Sequence, residues 1–187
     1  MRGIKYIILL ITFFAIGLSC KKEPKNTPTE FDLNYSTTVF IPPAKVVLSN
    51  PTIAPKYIDF SSLDIPTESY SLFLNHGTTK NLIDNVKLKK FEISVADASK
   101  NLNFLKSIIL LIKTKSLAET VIASKTKILD EQKSILLDVE DVNLKNYMIS
   151  DTIQYILRAA FDLPSTEIQA LKLNGTFFVN ATLLKKQ

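Results

Sequence analysis

The chain holds one thiol, Cys20, and one imidazole, His76, so any chemistry that needs either is confined to a single position. Cys20 follows a basic start (Arg2, Lys5) and an apolar run from Tyr6 to Leu18, with the small Ser19 directly before it. That order puts a nucleophilic sulfur at the end of a segment built for export, which is where a lipid is attached. His76 would have to be the base of any Ser–His–acid site, with Asp64 or Asp84 to orient it. No G-x-S-x-G elbow presents a serine, and His76-Gly77 reads as a turn. One histidine and a lipid-bound sulfur leave only carboxylates for a metal, which suits zinc poorly. Asp138, Glu140 and Asp141 lack the loop spacing of a calcium site and read as a solvated strand exit. Adjacent Asp130 and Glu131 would point to opposite sides of an extended chain, so they are no glycosidase pair. No catalytic residue, cofactor site or metal ligand is therefore expected, and the chain is read as no enzyme.

Leu18-Ser19-Cys20 resembles a lipobox, with Gly17 in place of the larger aliphatic residue usual three places before the cysteine. The resemblance implies that residues 1–19 are a removed signal peptide. Cys20 then leads the mature chain, carrying a diacylglyceryl thioether and an acylated amino group. The apolar run is too short for an ordinary spanning helix, which needs about 20 apolar residues. Each buried methylene contributes about 0.8 kcal/mol; one acyl chain holds marginally and three hold firmly. With its sulfur in a thioether the chain can form no disulfide, and the fold rests on its apolar core.

Without the signal about 170 residues remain, a usual length for one domain. The formal charge of +5 falls when Arg2 and Lys5 leave, and the lysines that stay are spread along the chain. A nucleic-acid site would need a basic stripe with interleaved aromatics, and none is present. Four glycines leave no glycine-rich phosphate loop.

Residues 20–34 carry the lipidated cysteine and, through Pro24 and Pro28 among polar residues, read as a flexible tether. From residue 35 to 187 short apolar runs alternate with turn residues. Strands are predicted at Ser36–Ile41, ended by Pro42-Pro43, at Lys45–Ser49 and at Tyr57–Ser61. A short helix after Pro66 would carry Tyr70, Phe73 and Leu74 and close at Asn75-His76-Gly77. Val86–Val95 has period-two spacing with one slip at Lys89-Lys90, where a β-bulge would restore the inward face. Ser107–Lys115 is an apolar block that favours a central strand, although its periodicity also allows a buried helix. Thr120–Lys125 and Ser134–Val139 are shorter strands, and Asp141–Ile149 a helical turn crossing between sheets, with Asp141 or Asn143 as cap. Ile153 to Phe161 and Leu171 to Leu183 alternate most cleanly. One dry and one wet face is the mark of an antiparallel sheet packed on one side. The expected class is all-β: an antiparallel β-sandwich with one or two short helices.

Val86 to Val95, Asn103 to Ile108 and Val142 to Tyr147 are similar to segments of small uncharacterised lipoproteins of Bacteroidetes-type bacteria. That resemblance covers roughly residues 35–185 and implies an immunoglobulin-like sandwich, with no catalytic residue to carry over. Asp151-Thr152-Ile153 resembles the D-[S/T]-aliphatic acceptor of periplasmic O-glycosylation in the same group, which makes Thr152 a candidate modification site.

The expectation is an outer-membrane lipoprotein, on the periplasmic or surface face, held by its N-terminal lipid. Its domain would be a non-catalytic binding or structural module for an envelope protein or glycan, and would not bind nucleic acid. The alternative is a lipid or small-ligand carrier, or an enzyme, with an inter-sheet pocket lined by Phe177, Phe178, Tyr155 and Phe161.

Overall fold

The computed structural model describes residues 27–43, 57–161 and 167–184. These stretches hold β1 (Pro28–Ile41), β2 (Tyr57–Ser61), β3 (Ile65–Pro66), α1 (Ser69–Asn75), a 3-10 turn (Lys80–Leu82), β4 (Ile83–Val95), β5 (Leu105–Lys113) and β6 (Thr120–Lys125). They continue through β7 (Ser134–Leu136), β8 (Asp138–Val139), α2 (Lys145–Met148), β9 (Thr152–Phe161) and β10 (Gln169–Thr182). Cys20, the signal segment and the strand expected at Lys45–Ser49 lie outside the described residues.

The strands form two antiparallel sheets, one in the order β1-β10-β4-β7 and one in the order β2-β9-β5-β6-β8, with β3 pairing with β9. The long strands pair in a nested way: β1 with β10, β2 with β9, β4 with β7 and β5 with β6. First pairs with last and each inner pair repeats the rule, with successive pairs placed on alternate sheets. An all-β antiparallel sandwich with short helices is thus what the chain forms. Its nested strand order is that of a jelly roll, where the resemblance implied the different strand order of an immunoglobulin-like sandwich.

The core lies between the sheets. Leu33, Tyr35, Val39 and Ile41 of β1 and Leu171, Leu173, Phe177 and Val179 of β10 bury one parity of each strand. Facing them are Ile108, Leu110 and Ile112 of β5 and Ile153, Tyr155, Leu157 and Ala159 of β9. Phe91 meets Tyr155 across the gap edge-to-face, with ring centroids 5.3 Å apart. Gly175 faces inward opposite these rings: a Cβ there would stand 3.0 Å from the Phe91 ring and 3.1 Å from that of Phe177. A larger residue would push the two rings apart.

Several elements differ from the sequence reading in informative ways. β1 begins at Pro28, so residues 28–34 belong to the sheet rather than to the tether. Phe31 and Leu33 already alternate with Glu30, Asp32 and Asn34, and Pro28 is tolerated as the first residue of an edge strand. The bulge in β4 falls where the slip placed it: Thr176 pairs with Lys90 and Phe177 with Leu88, leaving Lys89 as the extra residue. The stretch Ser134–Val139 is split at the buried Leu137, with β7 pairing with β4 and β8 with β6, so the chain changes sheet there. Asp141–Ile149 therefore does not cross between sheets, because β8 and β9 flank it in the same one. It leans on the other sheet instead, where the Leu144 amide donates to the Val86 carbonyl at 2.7 Å. Asn143 Oδ1 accepts from the Lys145 amide at 3.0 Å, but Leu144 holds the N-cap position without a side-chain bond, so neither Asp141 nor Asn143 is the cap expected.

Candidate functional site

Two ends of the sandwich can be told apart by the strand register. Pro28 pairs with Thr182, and β4 starts at the same level with Ile83 opposite Ala181. This end, where the chain from Cys20 enters the fold, is finished by α1. Phe73 of α1 is fully buried and sits edge-on to Phe31, with centroids 6.3 Å apart. Tyr35 Oη donates to the Thr67 carbonyl at 2.7 Å, the Thr67 amide donates to the Asp151 carbonyl, and the Thr67 hydroxyl donates to the Ser150 carbonyl. Burial, helped by the nearby Glu68 charge, pushes the Tyr35 phenol up to about 12. The turn after α1 is tied down as well: Thr78 Oγ1 donates to the Thr182 carbonyl at 2.6 Å, and the Leu184 amide to the Gly77 carbonyl at 2.7 Å. Gly77 adopts φ +68, which favours glycine.

His76 caps the C-terminus of α1, as a turn residue should, and its ring lies flat on Phe31 with centroids 3.9 Å apart. Asp64 is turned away from it into an ion pair with Lys115 at 3.7 Å, and Asp84 stands exposed on β4. The fold does not assemble His76 with either acid. Asp138 pairs with Lys125 and Asp141 with Lys87, so two acids of that cluster each already face a cation. Glu131 sits at φ 64 in the turn before β7, and both it and Asp130 are exposed there.

Thr152 opens β9 and is half-buried, its backbone paired with Pro66. With Thr114, Lys115, Ser116, Ile149, Ser150 and Asp151 it lines an open depression of about 350 Å³. Asp151 is exposed and pairs with Lys80 at 3.1 Å. A second depression, about 290 Å³, adjoins it between the start of α1 and Lys80, sharing Asp151.

The aromatic residues considered for an inter-sheet pocket are dispersed. Phe177 and Tyr155 fill the core, Phe161 packs edge-on to Phe60 at 5.9 Å, and Phe178 lies on the opposite, outer side of β10. Tyr155 is wholly buried and its hydroxyl has no hydrogen-bond partner; burial pushes its phenol pKa far up, so it carries no charge.

Sequence reasoning missed one charged constellation. Arg158 reaches Asp59 with two parallel bonds of 2.8 Å and Glu119 with a third of 3.1 Å, on the outer face of the second sheet. These partners come from segments far from Arg158 in the chain, which local spacing does not reveal. The hydrogen bond from Arg158 holds the Asp59 carboxyl below the usual range.

No protein-family model and no curated protein matches this chain. Among solved structures it is similar to the decameric BFDV capsid protein at 12% identity, over 83% of this chain and 99% of that one, with TM-score 0.44. A 60-mer form of the BFDV capsid protein shares 10% identity over 87% and 97%, with TM-score 0.43. A chain of desmodium yellow mottle tymovirus shares 11% over 87% and 93%, with TM-score 0.30. These are similarities of a low order in both sequence and shape, and they do not extend to function.

Proposed function

We propose that the chain is a lipid-anchored cell-envelope protein, an outer-membrane lipoprotein whose jelly-roll domain is a non-catalytic binding or structural module for another envelope protein or a glycan. The observation that carries this reading is the juxtaposition of an export-and-lipidation pattern ending at Cys20 with a sandwich whose first strand begins at Pro28. Only residues 21–27 lie between, so the anchor joins the domain at one defined end.

The domain needs no cross-link, because its two sheets bury an extensive aliphatic and aromatic core. Binding rather than catalysis fits the way its charged groups are used. His76 is stacked on a phenyl ring, and the acids weighed for catalysis or a metal are ion-paired or exposed. Modification at Thr152 belongs with this reading, since the threonine and its exposed Asp151 line an open depression.

Fractionation of cells that express the protein and its Cys20→Ser variant tests the anchor. The parent is expected in the membrane pellet and the variant in the soluble fraction, with lipid mass on the N-terminal peptide of the parent alone. The same distribution for both proteins would refute the reading.

A further inference from the structure

Each sheet has two edges, and three of the four end in short pieces of strand. β7 has three residues, β8 two, and β2 five, with the two of β3 beside it along β9. Shortness is one way in which proteins keep an edge from pairing. The fourth edge, β1, runs for 14 residues and pairs with β10 throughout without a bulge. It has no lysine or arginine, and no proline from Thr29 to Ile41. Among the described residues no strand lies beyond it. The direction of its backbone groups follows from its neighbours. The Ala96 amide donates to the Ala170 carbonyl, so even residues of β10 turn their backbone groups toward β4 and odd ones toward β1. Across the regular register the odd residues of β1 answer them. Glu30, Asp32, Asn34, Ser36, Thr38 and Phe40 therefore aim N–H and C=O groups at the open edge, and all are exposed.

We propose that a second copy of this chain occupies the edge, its β1 antiparallel to the first about a two-fold axis beside Tyr35. In that register Glu30 meets Phe40, Asp32 meets Thr38 and Asn34 meets Ser36 of the second copy, so every edge-facing residue is matched. Two four-stranded sheets become one. Inward residues stay inward, with Phe31 opposite Val39 and Leu33 opposite Thr37. Charge selects this arrangement. Glu30 and Asp32, the only charged residues of β1, lie in its first half. A parallel copy in register would set each acid against itself, which is destabilising. The antiparallel copy sets both against uncharged residues and brings Asp32 toward a cation. Lys172 pairs in register with Thr38, exposed on the outer side and in no ion pair among the described residues. Asp32 of the second copy stands just beyond Thr38, two strands from Lys172. Lys89 already bridges that span, from β4 across β10 to Asp32 at 2.7 Å. The two-fold makes the new contact twice. The pairing runs from residue 30 to 40 and asks nothing of the chain outside it.

The experiment co-expresses two differently tagged full-length chains, one carrying Asn34→Cys and the other Ser36→Cys. These positions face each other across the axis with Cα atoms about 5.5 Å apart, which a disulfide spans. Positions 34 and 34, or 36 and 36, stand more than about 7 Å apart, out of its reach. On oxidation the mixed dimer is expected to exceed either like-with-like dimer by at least about fivefold. The parent chain, with Cys20 alone, is the blank. Thr38→Pro removes an edge-facing N–H that makes no bond to β10, so it should abolish the mixed cross-link and leave the urea midpoint near the parent's. Lys172→Glu should lower the yield severalfold, and Lys172→Arg should not. Should Thr38→Pro unfold the chain, the two Lys172 variants decide. No dimer, like-with-like dimers as abundant as the mixed one, or a cross-link undiminished in folded Thr38→Pro or in Lys172→Glu would overturn the pairing. Each of these outcomes leaves the anchor untouched.

Discussion

The outer faces of the two sheets are different materials. On the first sheet β10 alternates strictly: Leu171, Leu173, Phe177 and Val179 are buried, while Lys172 and Asn174 are exposed and Thr176 and Asn180 half-exposed. The outer side there is a carpet mostly of amides, hydroxyls and compensated charges, with Phe40 and Phe178 as its aromatic exceptions. Ser36 Oγ donates to Asn174 Oδ1 at 2.7 Å, Thr176 Oγ1 to Asn34 Oδ1 at 2.8 Å, and Lys89 spans β10 to reach Asp32 at 2.7 Å. On the second sheet Leu111, Ile156 and Ala160 point away from the core, opposite in parity to Leu110, Leu157 and Ala159, yet they are almost fully buried. Their cross-strand neighbours are Val121, Ser61 and Tyr57. One sheet has a dry and a wet face; the other is dry on both sides at its centre, with Arg158, Asp59 and Glu119 as its polar island. A strand pair that is apolar on both faces is stabilised twice, once by the core and once by its own outer patch.

If that distinction holds, truncations should rank by face. Phe91→Ala, between the sheets, is expected to cost about 3–5 kcal/mol, since it removes a fully buried ring and its edge-to-face contact with Tyr155. Leu111→Ala, on the outer face, should cost about 2–3 kcal/mol, because at 2% exposure it behaves as a core leucine. Urea unfolding with an unchanged slope would report both. A cost for Leu111→Ala as small as that of an ordinary surface change would mean the second sheet has one dry face, like the first.

The same contrast explains what could be read in the sequence. β10 and the bulge at Lys89 were legible because alternation is the direct image of one wet side, and β9 of the second sheet was legible as well, through Gln154 and Arg158 on its outer side. β5 was ambiguous between strand and buried helix, because Ile108 to Ile112 has no wet face to mark a period. The start of β1 was hidden by Pro28 and its polar neighbours, whose inward partners Phe31 and Leu33 declare themselves only in pairing with β10. The sheet change at Leu137 was hidden too, since a run of three residues and a run of two read as one strand. The nested order of strands is a matter of contacts between distant segments, on which local periodicity is silent. Of the candidate site residues, the turn role of His76 was legible from its neighbours. The Arg158 constellation needed the fold.

Inside the core a third variant has the opposite sign. Tyr155→Phe removes a hydroxyl that is buried without a partner, while the ring stays against Phe91. A buried unpaired hydroxyl costs about 1–3 kcal/mol, so the phenylalanine variant should be more stable by about 1 kcal/mol and melt higher. A lower melting temperature would show that the hydroxyl is bonded in solution.

The polar island of the dry face gives a smaller, pH-dependent effect. Asp59 is held below the usual carboxylate range first by its hydrogen bond from Arg158, with partial burial opposing and the Arg158 charge assisting. A carboxyl depressed in the folded state stabilises above its unfolded pKa and loses that contribution as pH falls through its folded value. Asp59→Asn should therefore lower stability at neutral pH by less than about 1 kcal/mol, given how exposed the pair is. The gap between parent and variant should close as the pH drops below about 4. A gap that stays constant from neutral to acid pH would mean the bidentate pair contributes nothing through charge.

The wet face should respond least. Asn174→Thr replaces an exposed amide whose oxygen accepts from Ser36, and a bond so open to water is worth about 0.5 kcal/mol or less. Threonine suits a strand better than asparagine, which offsets part of that loss. The net change should be indistinguishable from zero by urea unfolding, and independent of pH because no charge is altered. Should Asn174→Thr cost as much as Leu111→Ala, the carpet on the first sheet would be a cooperative network, and the contrast between a face held by packing and a face merely wetted would be lost.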